Sequence, residues 1–348
     1  MSVKTTTNEL PVRGARLGTT ASSSILQQIR DDIRRRQRFL ITSHARPDGD
    51  SIGSQLAMAY ALDSLGKDVR IVNADPAPDH YLDFPGMERI EITREVHADA
   101  DALLVMECSD LGRTGIAGLE GHHIINIDHH AGNRMYGALN WFDESAAACG
   151  EMVFDVIRAL EVPLSFEIAT HIYLAILTDT GSFHHSNISP RTFDICRQTV
   201  EAGVSPAAMA RRVFDSNSFG KLKLIGALLD RMELVDHGRL AVLYLDEDML
   251  RACGCTHNDT EGLINLPLTA REIQAVVFFK VSPAGEVRVS MRSKYDVDVR
   301  RVANEYGGGG HKNAAGFTVS GALPEVRPRI LQQITAAIAE GLQSRPPG

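Results

Sequence analysis

The sequence lacks several features that would place it in other classes of protein. Its five cysteines are an odd number and include no C-x-x-C pair, so neither a disulfide framework nor a structural zinc site is expected. No apolar run approaches the ~20 residues of a membrane span, and the first 24 residues lack the apolar core of a secretory signal. Acidic residues outnumber basic ones by 44 to 36, which disfavours a broad basic face for long duplex nucleic acid. We therefore expect a cytoplasmic protein without a membrane or duplex partner.

The length of 348 residues predicts two domains rather than one. Hydrophobic residues make up 44% and charged residues 23%, which is ordinary for a soluble chain that buries a core in each domain. The pattern divides into a flexible tail (1–24), a larger domain (25–205), a helical connector (206–236) and a smaller domain (237–345).

Short apolar runs alternate with helical patterns in the larger domain. Strands are predicted at 39–42, 69–72, 102–106 and 124–127, and helices at 25–38, 51–66, 148–160, 165–178 and 190–203. This alternation predicts an α/β domain whose mostly parallel sheet is covered by helices on both faces.

The pattern of the smaller domain is different. Strands are predicted at 240–245, 273–281 and 287–291, with a hairpin turn at 282–286, and helices at 298–306 and 325–343. This order predicts an α+β domain, which we expect to face the larger one across a cleft.

Histidines and aspartates cluster where the predicted strands of the larger domain end. The positions are His44, Asp48 and Asp50 after the first strand, Asp110 after the third, Asp128, His129 and His130 at the fourth, and Asp179 at a helix end. Taken alone, each is more often a cap or a turn residue. Ligands of such sheets bind beyond the carboxyl ends of the strands, so the joint placement predicts one site. The pairs His122–His123 and His184–His185 are assigned no role.

The residue types in this site indicate metal chemistry. Several carboxylates in one pocket raise one another's pKa unless cations relieve the repulsion. Oxygen and imidazole ligands suit Mn²⁺, with Mg²⁺, Co²⁺ and Zn²⁺ as competitors. Asp48 and Asp50 can reach two different ions, and Asp110 can bridge them. Two ions about 3.5–4 Å apart favour in-line attack on phosphorus, so we predict a two-metal phosphoesterase.

A second candidate element is the glycine run 307–310 followed by His311. Successive glycines allow backbone N–H groups to converge on an anion, although such a run is often only a flexible loop. Its position after a predicted helix favours a structured turn. Arg292 and Lys294, which share one face of a regular strand, can add charged donors.

These segments resemble a known family. The stretches His44–Gly53, Glu107–Asp110, Asp128–Asn133 and Leu177–Gly181 resemble the four motifs of the DHH phosphoesterase superfamily. Met291–Lys294 and Gly307–Phe317 resemble the DHH-associated C-terminal domain. The resemblance covers about residues 25–340 and is strongest to the bifunctional oligoribonuclease and phosphoadenosine phosphate (pAp) phosphatase group, the nanoRNases.

The resemblance implies a ligand set for two divalent ions, with Mn²⁺ preferred. One ion would be held by His44, Asp48 and Asp110, and the other by Asp50, Asp110, His129 and Asp179. A hydroxide that bridges the ions would attack phosphorus. His130 would contact the scissile phosphate, and Asp128 would orient the histidine next to it. The implied catalytic set is therefore His130, Asp110 and Asp128.

The resemblance also implies a substrate. The second domain would hold a terminal phosphate or base through Arg292, Ser293, Lys294, Gly308, Gly309, Gly310 and His311. Short oligoribonucleotides would be hydrolysed to mononucleotides, and pAp to AMP. The family also allows a homodimer through the larger domain, for which the sequence has no decisive signal of its own.

Several alternatives stay open at this point. A phosphodiesterase for cyclic di-AMP or for linear dinucleotides would use the same motifs. An inorganic pyrophosphatase would be expected to have a more basic phosphate clamp, without the glycine run. A long-strand exonuclease would need further nucleic-acid-binding domains, and a non-catalytic nucleotide sensor would be expected to have lost a metal ligand.

Overall fold

The structure, a computed structural model, describes residues 20–343 apart from 98, 186, 216, 261, 283 and 284, and the side chains of residues 20–23 are not described. The chain divides into two units after Asp215. Most of the predicted tail therefore lies outside the described residues. Among those that are described, no helix is long and apolar enough to cross a membrane.

The first unit contains a six-stranded, fully parallel sheet. Its strands are β1 (Arg38–Thr42), β2 (Asp68–Asn73), β3 (Ile90–Ile92), β4 (Ala102–Met106), β5 (Ile124–Asp128) and β6 (Leu139–Phe142), in the order β3-β2-β1-β4-β5-β6. The described helices are α1 (Thr20–Arg35), α2 (Gly49–Ser64), α3 (Cys149–Ala159), α4 (Phe166–Asp179), α5 (Pro190–Glu201) and α6 (Pro206–Phe214). The predicted parallel sheet with flanking helices is confirmed, and α1 begins five residues before its predicted start.

The strand order reverses between β1 and β4, which are neighbours in the sheet. Ile41 pairs with Leu104 and Thr42 with Val105, so both strands end at nearly the same height. The loops that follow β1 and β4 therefore leave the sheet side by side. A reversal of this kind opens the crevice in which parallel sheets bind ligands.

The two faces of this sheet are covered differently. On one face, Ile41 and Leu104 share a core with α1, α2, α3 and α4. On the other face, Leu103 packs with Ile116 and Leu119, which belong to a segment between β4 and β5 that contains no α-helix. The prediction of helices on both faces is wrong here. Glycines at 112, 115, 118 and 121 explain the difference, because frequent glycine disfavours a regular helix.

Two glycines bring the helices of the first unit unusually close together. A Cβ atom on Gly53 in α2 would lie 2.5 Å from the backbone oxygen of His171 in α4. A Cβ atom on Gly150 in α3 would lie 2.5 Å from the Cβ of Ala175 in α4. Helices α2, α3 and α4 therefore pack backbone against backbone, next to the end of the unit where Asp50 and Asp179 lie.

The second unit contains a mixed sheet. Its strands are β7 (Glu233–Val235), β8 (Leu240–Leu245), β9 (Ala275–Val281), β10 (Glu286–Ser293), β11 (Gly309–His311) and β12 (Ala314–Ser320), in the order β11-β12-β10-β9-β8-β7. Only β8 and β9 pair in parallel. The described helices are α7 (Phe219–Asp230), α8 (Glu247–Cys253), α9 (Val299–Asn304) and α10 (Leu323–Gln343). The predicted α+β unit is confirmed.

Two details of the second unit bear on the predictions. Strands β9 and β10 pair antiparallel as a hairpin, although residues 283 and 284 of its turn lie outside the described residues. The predicted connector, 206–236, spans the division of the chain, with α6 in the first unit and α7 in the second. Its predicted boundaries stay predictions.

Candidate active site

Helix α2 positions two of the predicted ligands. Asp48 is its N-cap and accepts a hydrogen bond from the Ser51 amide at 3.0 Å. Asp50 lies inside the first turn rather than in the preceding loop, and its side chain is buried. It accepts hydrogen bonds from the amides of Cys149 at 2.6 Å and Gly150 at 3.0 Å. The N-terminus of α3 therefore holds the Asp50 carboxylate in place.

Glu107, the first residue after β4, has the most unusual environment in the site. Its backbone is left-handed, with φ of 56°, a conformation that costs a non-glycine residue of order 1 kcal/mol or more. The side chain is 1% exposed, and Oε1 lies 3.3 Å from His129 Nε2 and 3.2 Å from His130 Nδ1. Within the described part of the chain, Oε2 has no hydrogen-bond partner. A buried carboxylate oxygen without a partner is costly unless a cation or proton satisfies it.

His129 faces three carboxylates. Its Nδ1 donates to the carbonyl oxygen of Ala146 at 3.1 Å, which turns Nε2 towards the acids. Nε2 lies 3.3 Å from Glu107, 3.5 Å from Asp179 and 3.7 Å from Asp50. This is the orientation of a metal-ligating imidazole, in which a carbonyl group fixes the tautomer.

The charges of this cluster are not balanced by the described protein groups around it. Burial, together with the charge of Asp50, raises the pKa of Asp179 to about 7. Burial also raises the pKa of both Asp50 and Glu107. Burial alone would lower the pKa of His129, but the negative charges of Glu107 and its neighbours outweigh burial and raise it. The cluster therefore favours bound protons or a cation.

Two overlapping groups of ligand atoms in this cluster could each hold an ion, with all atoms of a group within 4.8 Å of one another. The groups are Glu107, His129 and His130, and Asp50, His129 and Asp179. Nearby, the His44 ring centroid lies 6.1 Å from that of His130, and His44 Nε2 lies 3.6 Å from an Asp48 oxygen. Burial would lower the pKa of His44, but the Asp48 carboxylate raises it.

Asp128 is buried and orients His130. One carboxylate oxygen accepts hydrogen bonds from His130 Nδ1 at 2.9 Å and from the His130 amide at 3.2 Å. The other accepts from Asn133 Nδ2 at 2.6 Å, and Asn133 also donates to Asn126 Oδ1 at 2.8 Å. Burial would raise the pKa of Asp128, but the hydrogen bond from His130 lowers it. The histidine that Asp128 orients is therefore His130, whereas the adjacent His129 uses a backbone carbonyl.

Asp110 is in neither ligand group, and its predicted bridging role stays a prediction. One of its oxygens accepts from the Gly112 amide at 2.7 Å and caps the short 3₁₀ turn Leu111–Thr114. The other lies 2.5 Å from Arg134 Nη1. Asp110 belongs to neither ligand group, and the β4 carboxylate that faces His129 is that of Glu107. Sequence reasoning missed Glu107, although it is the first acidic residue beyond the buried strand.

The predicted substrate residues of β10 have partners within the second unit. Arg292 is half-buried, donates to the Met291 carbonyl at 3.0 Å, and has its pKa lowered by burial. Ser293 donates to the Val297 carbonyl at 2.7 Å, and Lys294 donates to the Ala270 carbonyl at 2.7 Å. The hydroxyl of Ser293 and the ammonium of Lys294 therefore stabilise turns of their own unit in this structure.

The glycine run is ordered rather than a flexible loop. Gly309, Gly310 and His311 form the exposed strand β11, which pairs with β12. A Cβ atom on Gly308 would lie 2.3 Å from the Gly316 carbonyl oxygen, so only glycine permits this approach. The structured turn expected from the sequence is present, with an exposed backbone at its edge.

Two family models match the chain in the order of its units. The N-terminal domain of the DHH family matches residues 38–176, and the DHHA1 domain matches residues 238–340. The bifunctional oligoribonuclease and PAP phosphatase NrnA of Thermus thermophilus is 33% identical over 297 residues, which cover 84% of this chain and 88% of that protein. The chain belongs to the DHH family.

Solved structures share the fold of this DHH protein. An exopolyphosphatase-related protein from Bacteroides fragilis superimposes with a TM-score of 0.83 at 24% identity, over 90% of this chain and 96% of the other. RecJ of Thermus thermophilus, in complex with Mn²⁺, has a TM-score of 0.52 at 15% identity, over 94% of this chain and 56% of RecJ. At these identities the likenesses concern the fold alone, and they agree with the fold predicted from the sequence.

Proposed function

We propose that this DHH protein is a metal-dependent phosphoesterase that hydrolyses short oligoribonucleotides to mononucleotides and pAp to AMP. The observation that carries the proposal is the buried cluster of Asp50, Glu107, His129 and Asp179 at the carboxyl ends of parallel strands. Membership of the DHH family supports the reaction. The name of the Thermus thermophilus relative, an oligoribonuclease and PAP phosphatase, supports the substrate class.

The donor set fits divalent metal ions. Glu107 Oε2 is buried without a hydrogen-bond partner among the described residues, and the acids around it have raised pKa values in the absence of a cation. Mixed carboxylate and imidazole donors suit Mn²⁺, the ion named for the Thermus thermophilus RecJ structure, with Mg²⁺ or Co²⁺ as alternatives. When bound, two such ions would polarise the phosphoryl oxygens and lower the pKa of water.

We assign the ligands with one change from the sequence-based set. Asp50, His129 and Asp179 would hold one ion, and His44 and Asp48 would hold the other. Glu107 would take the shared position that the sequence suggested for Asp110, since Glu107 contacts His129 and Asp110 pairs with Arg134. Asp110 therefore leaves the proposed set of ligands.

The chain's own groups would place the scissile phosphate. Asp128 and Asn133 hold His130 through its Nδ1, so we assign Nε2 to the phosphate. A hydrogen-bond donor at this position stabilises the charge that develops on phosphoryl oxygens. In the second unit, Arg292, His311 and the exposed backbone at Gly308, Gly309 and Gly310 would hold a terminal phosphate or base. Ser293 and Lys294 would support this site by stabilising its turns.

A substrate panel tests this function. The purified protein with Mn²⁺ is given RNA dimers to pentamers, a long RNA strand, pAp, cyclic di-AMP and pyrophosphate, and initial rates are compared. We expect the highest kcat/KM for the short RNAs and for pAp, with loss of activity in the presence of EDTA. The Asp50→Asn variant serves as the matched inactive chain, because it removes a charge from the buried cluster with little change in shape.

Other outcomes would overturn the proposal. Preference for the long strand or for pyrophosphate would contradict the proposed substrate. A higher kcat/KM for cyclic di-AMP than for pAp would make the protein a cyclic dinucleotide phosphodiesterase. Tight binding of nucleotides without turnover of any of these substrates would indicate a sensor.

A further inference from the structure

Arg113 lies near the proposed metal ligands but is not one of them. It belongs to the 3₁₀ turn Leu111–Thr114 that follows β4. Its Nη1 donates to the Ser109 hydroxyl at 2.9 Å, and Ser109 is two residues from Glu107. The guanidinium is also near enough to His44 for its charge to oppose protonation of that ring. Arg113 therefore presents an exposed positive charge next to the proposed ligands.

Two of the other three arginines around this edge of the first unit are paired with carboxylates. We call this group the rim: Arg46, Arg94, Arg113 and Arg134, with Asp75 and Asp110. Arg94 lies 2.6 Å from an Asp75 oxygen, and Arg134 lies 2.5 Å from an Asp110 oxygen. For the guanidinium groups of Arg113 and Arg46, no carboxylate of the described residues lies within 4.0 Å. The rim therefore has two positive charges in excess.

Arg46 and Arg113 are on loops that are fastened together. The Ala45 amide donates to the Arg113 carbonyl at 2.7 Å, so Arg46 is one residue from that hydrogen bond. The backbone of Arg46 is left-handed, with φ of 56°, and its amide donates to Asp75 at 2.9 Å. The turn that exposes the Arg46 side chain is thus fixed on both sides by hydrogen bonds.

We propose that Arg113, assisted by Arg46, binds a second phosphate group of the substrate, the one that neighbours the phosphate being hydrolysed. The inference rests on the proposed function, since pAp and short RNAs carry such a second phosphate. Planar guanidinium groups bind phosphate through paired, charge-assisted hydrogen bonds. The carboxylates of the cluster repel anions unless cations are bound, so a nearby phosphate needs positive groups supplied by the chain. Unpaired arginines on two adjoining loops meet that need.

Activity on two matched substrates tests the subsite. Adenosine 3′-phosphate has the scissile phosphate of pAp without the 5′-phosphate. For the Arg113→Gln variant we expect KM for pAp to rise by about 10-fold or more, and kcat/KM for adenosine 3′-phosphate to change by less than about 2-fold. The double variant Arg46→Gln/Arg113→Gln should have a still higher KM for pAp. The Arg113→Lys variant should have a KM for pAp between those of the natural chain and Arg113→Gln, because lysine restores the charge but not the paired hydrogen-bond donors.

The matched control is Arg94→Gln, which removes an arginine of the same rim that is already paired with Asp75. It should leave the ratio of kcat/KM between the two substrates unchanged. An equal loss on both substrates in Arg113→Gln would overturn the proposal, since it would place Arg113 at the scissile phosphate or in the fold. Unchanged kinetics in the double variant would overturn it as well.

A binding measurement separates this inference from the proposed function. AMP and adenosine differ only in the 5′-phosphate, and their binding is measured without any hydrolysis. Both are therefore titrated calorimetrically at low salt into the protein with Mn²⁺ present, so that the charge of the cluster is neutralised. We expect AMP to bind more tightly than adenosine, and the difference to disappear in the double variant. A difference that survives in the double variant, or its absence in the natural chain, overturns the subsite whatever the substrate panel shows.

Discussion

The buried cluster and the rim of the site contain carboxylates in opposite surroundings. In the cluster, Asp50, Glu107 and Asp179 have no lysine or arginine within ion-pair distance among the described residues, and only His129 faces all three. On the rim, Asp75 and Asp110 each lie within 2.6 Å of an arginine nitrogen. The two carboxylates that follow β4, Glu107 and Asp110, are three residues apart and belong to different groups.

The cluster and the rim differ in how far solvent can stabilise their charges. An exposed ion pair like those on the rim contributes about 0–1 kcal/mol, and either partner can be solvated if the other is lost. The side chains of Asp50 and Glu107 are 1% exposed and cannot be solvated in this way, whereas that of Asp179 is 31% exposed. Removal of one member of a buried ionic group leaves charges that the protein must neutralise by protonation. A cation in the cluster removes that cost. We infer that the metal-free protein is less stable because the charge of the cluster is unbalanced until a metal ion binds.

The largest effect is expected at Glu107. Replacement by Gln removes the charge and half of the oxygen donors while it keeps the length of the side chain. Mutation of a residue that supports a metal ligand typically lowers metal affinity or activity about 10–100-fold. Loss of a ligand itself should therefore lower kcat/KM by more than about 100-fold. The Mn²⁺-induced rise in melting temperature should also become smaller. Steady-state kinetics and thermal unfolding with and without Mn²⁺ measure both effects.

Asp110→Asn is the matched control for Glu107, on the same strand end. It should change kcat/KM by less than about 10-fold and leave the Mn²⁺-induced stabilisation intact, because Asp110 contacts Arg134 rather than the cluster. If Asp110→Asn abolished metal binding while Glu107→Gln retained it, Asp110 rather than Glu107 would be the shared ligand.

An intermediate effect is expected at Asn133, which joins Asp128 to Asn126. Asn133→Ala removes the hydrogen bond of 2.6 Å that fixes Asp128, so His130 loses its support. We expect kcat to fall about 10–100-fold, with a smaller change in KM and little change in Mn²⁺ affinity. A weaker Mn²⁺ affinity, measured by calorimetry, would show that the network supports the metal ligands instead.

The metal-free protein should become less stable as the pH rises. The pKa of Asp179 is raised to about 7 from 3.8, so the folded chain holds a proton that the unfolded chain releases. This contribution is complete below pH 4 and is lost as the pH rises through about 7. In EDTA, the melting temperature should fall between about pH 4 and pH 7 and level off above that range, by roughly 2–4 °C for each kcal/mol lost.

Asp179→Asn tests the origin of that slope. The variant has no proton to release at this position, so its melting temperature in EDTA should depend less on pH, and at pH 8 it should exceed that of the natural chain. An unchanged slope would mean that other groups, such as Glu107, hold the proton.

The smallest effect is expected on the rim. Asp75→Asn leaves Arg94 without its partner, and exposed pairs of this kind contribute about 0–1 kcal/mol. The melting temperature should therefore fall by no more than about 4 °C, and Mn²⁺ affinity should not change. A loss of Mn²⁺ affinity in Asp75→Asn would mean that the rim and the cluster are not energetically separate.

Hydrophobic patterning predicted much of this architecture. Strand β4 has the predicted bounds, and β1, β2 and β5 each differ from theirs by at most two residues, because buried parallel strands are continuous apolar runs. Strands β3 and β6 were missed. They are short and only partly buried, so their residues give no apolar run. Strand β12 was also missed, because it begins with Ala-Ala-Gly, a composition that does not favour strands.

The position of the candidate site was predictable, but the direction of every side chain in it was not. Residue types and strand ends predicted the proximity of His44 to Asp48, and of His129 to Asp50 and Asp179. The choice between Glu107 and Asp110 depends on side-chain direction after β4, which the left-handed backbone at Glu107 determines. Periodicity does not encode one unusual φ angle. Arg113 was missed for a related reason. Only the folded structure shows which arginines have a carboxylate partner and which do not.

The glycine contacts among α2, α3 and α4 have a consequence for which ion the protein accepts. Asp50 is on α2 and Asp179 is on α4, so the separation of these helices sets the space between the two carboxylates. Ca²⁺ prefers oxygen distances of about 2.3–2.6 Å, whereas Mg²⁺ requires about 2.0–2.1 Å. A methyl group at Gly53, which faces the His171 carbonyl group of α4, would separate α2 from α4 and favour the larger ion in the proposed site. Selectivity of the proposed site for ionic radius would thus depend partly on a position that has no side chain and does not contact the ion.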